Sequence, residues 1–215
     1  MAKTIIAYDL GTGGNKASLY DADGNCLAEA FVAYPTLYPQ PGWHEQRPMD
    51  WWNAVVESTA RLLAQSGADA ADVECLAISG HSLGCVPLDA AGCLLREATP
   101  IWSDKRPQDQ ARAFFTHIDE GRWYRMTGNG FPPAHYTVFK AMWYRDHEPK
   151  MFRQVDKVIG TKDFINFKLT GRVATDYSYA SGSGVYDLLG SGYRDEHITA
   201  SGLGREIFSP ITASA

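Results

Sequence analysis

Long apolar runs, paired cysteines and an excess of positive charge are all missing from these 215 residues. No stretch approaches the roughly 18 consecutive apolar residues that a membrane-spanning helix needs, so no membrane is expected as a partner. Cys26, Cys75, Cys85 and Cys93 form no C-x-x-C pair, which argues against a zinc site or a disulfide framework; buried free thiols are the expectation. A net charge of -5 supplies no electrostatic footprint for nucleic acid. Internal repeats, low-complexity tracts and long charge runs are absent as well. Met1-Ala2-Lys3 runs into an apolar segment without a signal-peptide pattern, and a cytoplasmic location is expected. Two familiar phosphate signatures are also lacking. Gly-x-x-x-x-Gly-Lys-Ser/Thr does not occur, and the first glycine cluster does not have the Rossmann spacing.

What the chain does have is enough apolar content, 45%, for one sizeable globular domain, or one and part of another. Its most informative stretch comes first. Ile5-Ile6-Ala7-Tyr8 and Ala17-Ser18-Leu19-Tyr20 read as strands, and Asp9-Leu10-Gly11-Thr12-Gly13-Gly14-Asn15-Lys16 reads as the hairpin turn between them. Glycines there can adopt positive φ and leave backbone N–H groups bare for phosphate oxygens. Thr12 adds a hydroxyl and Lys16 a cation. Asp9, at the strand end, has the chemistry to hold a hydrated Mg²⁺ beside those phosphates. An ordinary Gly-rich β-turn would use the same residues.

Downstream, Asp21 to Asn25 reads as a second turn and Cys26 to Ala33 as a third strand, so three antiparallel strands open the fold. Met49 to Ala64 carries Trp52, Val55, Val56, Leu62 and Leu63 at helical spacing and ends at Gly67, an amphipathic crossover helix. Val73 to Ser79 reads as a fourth strand and Val86 to Gly92 as a short strand and turn. Further helices are expected over Pro107 to Phe115, Phe139 to Arg145 and Lys162 to Leu169. The order β-β-β-α-β followed by helices indicates an α/β layered domain.

The Asp-x-Gly-Thr turn is similar to the first phosphate motif of the actin, Hsp70 and sugar kinase superfamily. A more specific resemblance, to the N-terminal half of FGGY carbohydrate kinases such as xylulokinase, glycerol kinase and gluconokinase, spans nearly the whole chain. It rests on Asp9 to Lys16, on Pro41 to Pro48 with Trp51-Trp52, on Ile78 to His81, and on Ile101 to Arg106. It continues through Lys140 to Trp143, Gly160 to Phe164, Leu169-Thr170-Gly171, and Thr175 to Asp187. The segment around Trp102 and the C-terminal stretch look closest to xylulokinases. The resemblance implies an actin-like ATPase (ribonuclease H-like) α/β domain whose mixed sheet opens with three antiparallel strands and is flanked by helices. It implies ATP and Mg²⁺ as cofactors and a small-molecule sugar substrate, and it leaves a homodimer open.

By the same resemblance, Asp9 serves catalysis through metal and phosphate placement, and Gly11, Thr12, Gly13, Gly14 and Lys16 face the nucleotide. Sugar contacts fall to His81, Ser82, Leu83, Trp102 and Asp104. His81-Ser82-Leu83 stands where xylulokinases carry Gln-Met-His, and leucine cannot replace a hydroxyl-binding histidine. The family's proton-accepting aspartate lies in a Gly-Gly-x-Asp segment that does not occur before Ala215. Residues 1–215 are therefore expected to be an N-terminal kinase domain truncated before its last strand, without the C-terminal actin-like domain and inactive alone. Trp43, Trp51, Trp52 and Trp143 read as packing. Arg106 and Lys140 read as solvated or salt-bridging cations, Asp163 and Asp176 as helix caps or turn residues, and Asn129 and Phe131 as rim residues of the sugar site. ATP-dependent phosphorylation of a sugar hydroxyl, with a pentulose such as xylulose as first choice, is the leading reading. The alternative is a non-catalytic sugar-binding or regulatory module with an actin-like fold. An assembly or chaperone-type ATPase fits the kinase-like segments less well.

Overall fold

In the computed structural model, which describes residues 3–214, the first three strands form with the expected pairing. Met1, Ala2 and Ala215 are outside the described residues, and with them most of the expected N-terminal lead-in. β1 (Thr4–Leu10), β2 (Gly14–Asp21) and β3 (Cys26–Ala33) are successively antiparallel. The register sets Ile6 opposite Leu19 and Tyr8 opposite Ala17, so these four share the buried face of the sheet. Asp9 stands opposite Lys16 on the other, exposed face. The second turn closes where the Asp21 carboxylate accepts from the N–H groups of Asp23 and Asn25, with Gly24 at φ 85°.

Helix α1 (Pro48–Ser66) begins with proline in its first turn and stops at Gly67, whose φ of 68° lets its N–H cap the Leu63 carbonyl. Its buried face is Trp51, Ala54, Val55, Ser58 and Leu62, whereas Val56 is exposed. The stripe is thus turned toward Trp51 relative to the expected one. Polar sheet residues set that orientation: Asn15 donates to Ser58 (2.9 Å), and the Tyr8 hydroxyl bonds that of Thr59 (2.6 Å). β4 (Val73–Gly80) then runs parallel to β1, giving the order β3-β2-β1-β4. A separate two-stranded unit pairs β5 (Val86–Leu88) with β6 (Lys157–Ile159), and a two-residue ladder joins Glu45–Gln46 to Thr99–Pro100.

Five helices of seven residues or more complete the described chain: α2 (Gln108–Phe114), α3 (Glu120–Thr127), α4 (Thr137–His147), α5 (Thr161–Thr170) and α6 (Asp195–Ser201). α3 and α6 were not anticipated. α3 turns only Trp123 and Thr127 fully inward, too few to show a period, yet its ends are legible: the Asp119 carboxylate caps it and Gly128 closes it at φ 66°. Asp176 caps the helical turn that follows it and Asp163 bonds back to the Gly160 N–H, as expected of both.

Two hydrophobic cores result. One joins the sheet to α1 and α5 through Ile6, Leu10, Leu19, Trp51, Leu62 and Phe164; the other surrounds α4 with Phe114, Trp123, Phe139, Tyr144 and Ile198. Trp102 packs against both, so the segment 99–106 runs along the seam. Of the cysteines only Cys85 is buried. Cys26, Cys75 and Cys93 are exposed, contrary to expectation, because β3 and β4 are the edge strands and Cys93 follows a surface turn.

Every residue of α4 from Thr137 to Tyr144 is buried, Lys140 included. Lys140 is neither solvated nor salt-bridged: its Nζ donates to the carbonyls of Leu83 (2.7 Å) and His135. Burial pulls its pKa down to about 7, partly opposed by the Asp104 charge. The folded value lies below the ordinary 10.5, so above pH 7 the unfolded chain binds the extra proton and stability rises with pH. Between pH 7 and about 8.5, below the thiol range, this group adds a slope of up to about 1.4 kcal/mol per pH unit. Urea unfolding of Lys140→Met across that interval should show the slope flattened.

Candidate active site

The turn between β1 and β2 is tighter than its glycines suggest. Gly11 donates its N–H back to the carbonyls of Asp9 (3.1 Å) and Gly14 (3.0 Å), and neither Gly11, Gly13 nor Gly14 takes a positive φ. Glycine is required for space instead. A Cβ on Gly14 would sit 2.5 Å from the Phe31 ring and 2.6 Å from the Val32 carbonyl oxygen, whereas one on Gly13 would meet nothing within 4 Å. Among the described residues the N–H groups of Thr12 and Gly13 have no protein acceptor. The turn therefore presents bare backbone donors beside open space, with the exposed Asp9 at its base. No group of three or more His, Cys, Asp or Glu able to hold a metal occurs among the described residues. A lone carboxylate suits a Mg²⁺ that takes its remaining ligands from phosphate and water. Lys16 does not reach into the turn; its ammonium pairs with Glu29 (3.1 Å) across the strands.

Tyr34 supports the turn from beneath, its hydroxyl donating to the Gly11 carbonyl (2.6 Å). Burial, reinforced by the Asp9 charge, pushes that hydroxyl's pKa up, so it stays a donor. A larger share of the support comes from Gln46, which is fully buried. Its Nε2 donates to the Thr12 carbonyl (2.7 Å) and to Thr36 Oγ1 (2.8 Å), while its Oε1 accepts from Trp51 Nε1 (2.9 Å) and lies 3.2 Å from His81 Nε2. Because indole N–H only donates and a carbonyl only accepts, the amide has one consistent orientation. His81 must then carry its proton on Nε2, leaving Nδ1 to accept from Thr161 Oγ1 at 3.1 Å. Burial, with Lys140 nearby, lowers the His81 pKa to about 4, so the ring is neutral. Both ring nitrogens face protein groups rather than a ligand, in contrast to the sugar contact expected of this residue.

Trp102 lies against the turn, its Nε1 donating to Thr12 Oγ1 (2.9 Å). Its carbonyl accepts from His135 Nδ1 (2.8 Å), tying the seam segment to the loop before α4. Asp104 departs from the expected role. It is fully buried, its two oxygens taking the Arg106 guanidinium at 2.8–3.0 Å and the His44 N–H at 2.8 Å. Arg106 also pairs with Glu45 and lies over the rings of Trp43 and Trp143, 4.0 and 4.9 Å from their centroids. Asp104 thus shapes the loop behind Trp102, because an acceptor enclosed this way has no face left for a sugar.

Ser82 and Leu83 do line a cavity, of about 370 Å³, together with Asn129, Phe131, Tyr136 and Gly182. It lies within the size range of small-molecule sites. Asn129 Nδ2 is buried there without an acceptor. A larger cavity of about 630 Å³ opens behind the 132–135 loop, against α2; it includes neither the glycine turn nor residues 81–83.

The sequence of residues 4–215 matches the model of the FGGY family of carbohydrate kinases, N-terminal domain. The chain belongs to this family. It is 33% identical over 201 residues to the xylulose kinase of Escherichia coli (strain K12), covering 94% of this chain and 40% of that protein. It is 30% identical over 216 residues to that of Bacillus subtilis (strain 168), covering 99% and 42%. Among solved structures, a Brucella ovis protein titled a xyloylose kinase superposes with a TM-score of 0.89 at 27% identity, covering 97% of this chain and 43% of that one. The gluconate kinase of Lactobacillus acidophilus gives 0.89 at 26%, covering 99% and 42%. The actin-like α/β fold class is borne out, and the chain spans about two fifths of the length of these FGGY relatives.

Within this FGGY domain Ser82 and Leu83 line a cavity and Thr12 and Trp102 are hydrogen-bonded to each other, whereas Gln46, Tyr34 and Lys140, to which sequence reasoning assigned no such part, support these segments. Gln46 lies inside the Pro41 to Pro48 segment among His44, Glu45 and Arg47, so polarity alone did not single it out. The glycine turn yields a direct test. Gly14→Ala should destabilise the fold by about 1–3 kcal/mol through its collision with Phe31 and Val32, while Gly13→Ala leaves the unfolding free energy from urea titration within about 0.5 kcal/mol of wild type.

Proposed function

We propose that the gene product containing this chain transfers the γ-phosphoryl group of ATP to a hydroxyl of a small sugar, a pentulose such as xylulose being the first choice. The observation that carries the reading is the Trp102–Thr12 hydrogen bond, which joins a phosphate-competent turn to Trp102, whose carbonyl is in turn tied to His135, the residue before Tyr136 of the Ser82–Leu83 cavity wall. The xylulose kinase names of the relatives support the sugar class.

In this reading the Thr12 and Gly13 N–H groups and the Thr12 hydroxyl hold phosphate oxygens, and Asp9 orients the hydrated divalent ion. Bound MgATP supplies the transferable phosphoryl group and the charge neutralisation that transfer requires. Trp102 fixes the distance between turn and sugar cavity, and Asp104 with Arg106 keeps Trp102 in place. Neutral His81 transmits the position of Gln46 to the loop carrying Ser82 and Leu83. The family resemblance assigns the acceptor of the sugar proton to an aspartate that does not lie in this chain.

A coupled ADP-release assay of the full-length gene product over ketopentoses, hexuloses and polyols tests this. At least one ketopentose should stimulate ATP consumption, and Asp9→Asn should lower kcat by at least about 10²-fold. ATP consumption that no sugar stimulates would contradict the proposal. Sugar binding with no turnover under any metal condition would favour the non-catalytic module.

A further inference from the structure

Leu83 stands in an unusual backbone conformation for its residue type. Its φ is 63°, one of two positive values among the non-glycine residues described. Leucine enters this region reluctantly, and it persists only when neighbours enforce it. Three do so here. The buried Lys140 ammonium holds the Leu83 carbonyl at 2.7 Å, and the same group grips the His135 carbonyl, so the loop bearing Leu83 is stapled to the loop bearing Trp102's partner. Gly182 leaves room for the side chain: a Cβ there would lie 2.7 Å from Leu83 Cδ2. Leu83 is thus held both as part of the core around α4, 5% exposed, and as a lining residue of the 370 Å³ cavity.

The polar resources of that cavity are few. His81 is committed to Gln46 and Thr161, Ser178 Oγ donates to Asp176, Ser181 Oγ donates to the Ser178 carbonyl, and the Tyr136 hydroxyl accepts from the Phe131 N–H. Among the described residues the Ser82 hydroxyl and the buried Asn129 Nδ2 remain without a partner, and the Tyr136 hydroxyl keeps its proton to donate. Leu83 and Phe131 supply an apolar wall. A ligand hydroxyl pressed onto Leu83 gives up water and gains nothing, whereas a CH₂ or CH₃ there gains contact.

We propose that Leu83, positioned by Lys140, is a specificity-determining residue that selects a ligand with a deoxygenated carbon, a deoxyketose or deoxypolyol, over its fully hydroxylated counterpart. The inference rests on the sugar reading of the cavity. Discrimination of one hydroxyl by an apolar wall is on the order of 10- to 100-fold.

Titration calorimetry of the full-length gene product with D-xylulose and D-ribulose, the 1-deoxy and 5-deoxy forms of each, and the single 3-deoxy form that the two share decides it. At least one deoxy form should bind 10-fold or more tightly than its parent. Leu83→Asn suits the left-handed backbone and offers a polar group, so it should erase or reverse that ratio; Leu83→Met should keep it. Lys140→Met should narrow the ratio, whereas a merely structural lysine would weaken parent and deoxy forms alike. Parents that bind as tightly as every deoxy form, or a ratio untouched by Leu83→Asn, would overturn the inference and leave the sugar reading standing. Absence of binding by all seven compounds to the folded wild-type protein would overturn both. Should Leu83→Asn fail to fold, the wild-type ratio alone still decides between these outcomes.

Discussion

One buried amide holds the candidate site together. Gln46 uses both of its N–H groups and both lone pairs of its oxygen on four different segments: the glycine turn, the Thr36 loop, the first turn of the crossover helix, and the residue that follows β4. Each such bond contributes only about 1 kcal/mol net, but removing the amide would strand several buried polar atoms at about 1–3 kcal/mol each. The group therefore behaves as a unit, and its partners are positioned together or not at all. Thr12 hands the constraint on, its carbonyl held by Gln46 and its hydroxyl holding Trp102.

Charge performs the second half of the task. Glu45, next to Gln46, pairs with Arg96 and Arg106, and Arg106 in turn holds Asp104. Buried ions gain little net stability from pairing alone, because desolvation opposes the Coulomb attraction. What this network does is specify geometry: a planar guanidinium lying over two tryptophans and bonded to two carboxylates permits one path for residues 102–106. The seam between the two cores is thus a fixed joint, and Trp102 sits on it. Several residues that a motif reading places against the ligand, Asp104 and His81 above all, belong to this supporting layer.

That division explains what could be read from the sequence. The hairpin, β3, the crossover helix and β4 were legible because period and turn chemistry act locally, and Gly24 and Gly67 occupy the left-handed positions such turns require. The short helices α3 and α6 carry too few inward residues to announce a period. At the site, residue type reports chemistry but not direction. His81 and Asp104 are polar enough to bind a sugar, yet their neighbours, at sequence separations of 35 and 60 residues for Gln46 and the His44 N–H, turn them toward the protein. Lys140 shows the same limit from the other side. Lysine is almost always solvated, and only the fold reveals an ammonium enclosed by two carbonyls.

Hydrogen–deuterium exchange on wild-type protein and Gln46→Leu tests the central claim most directly. The shared amide requires the hydrogen-bonded N–H of Gly11 in the turn and that of His81 in the segment after β4 to lose protection together in the variant, while Asn15 to Asp21 of β2 and α4 exchange as in wild type. Loss of protection in only one of the two segments, or in neither, would contradict it.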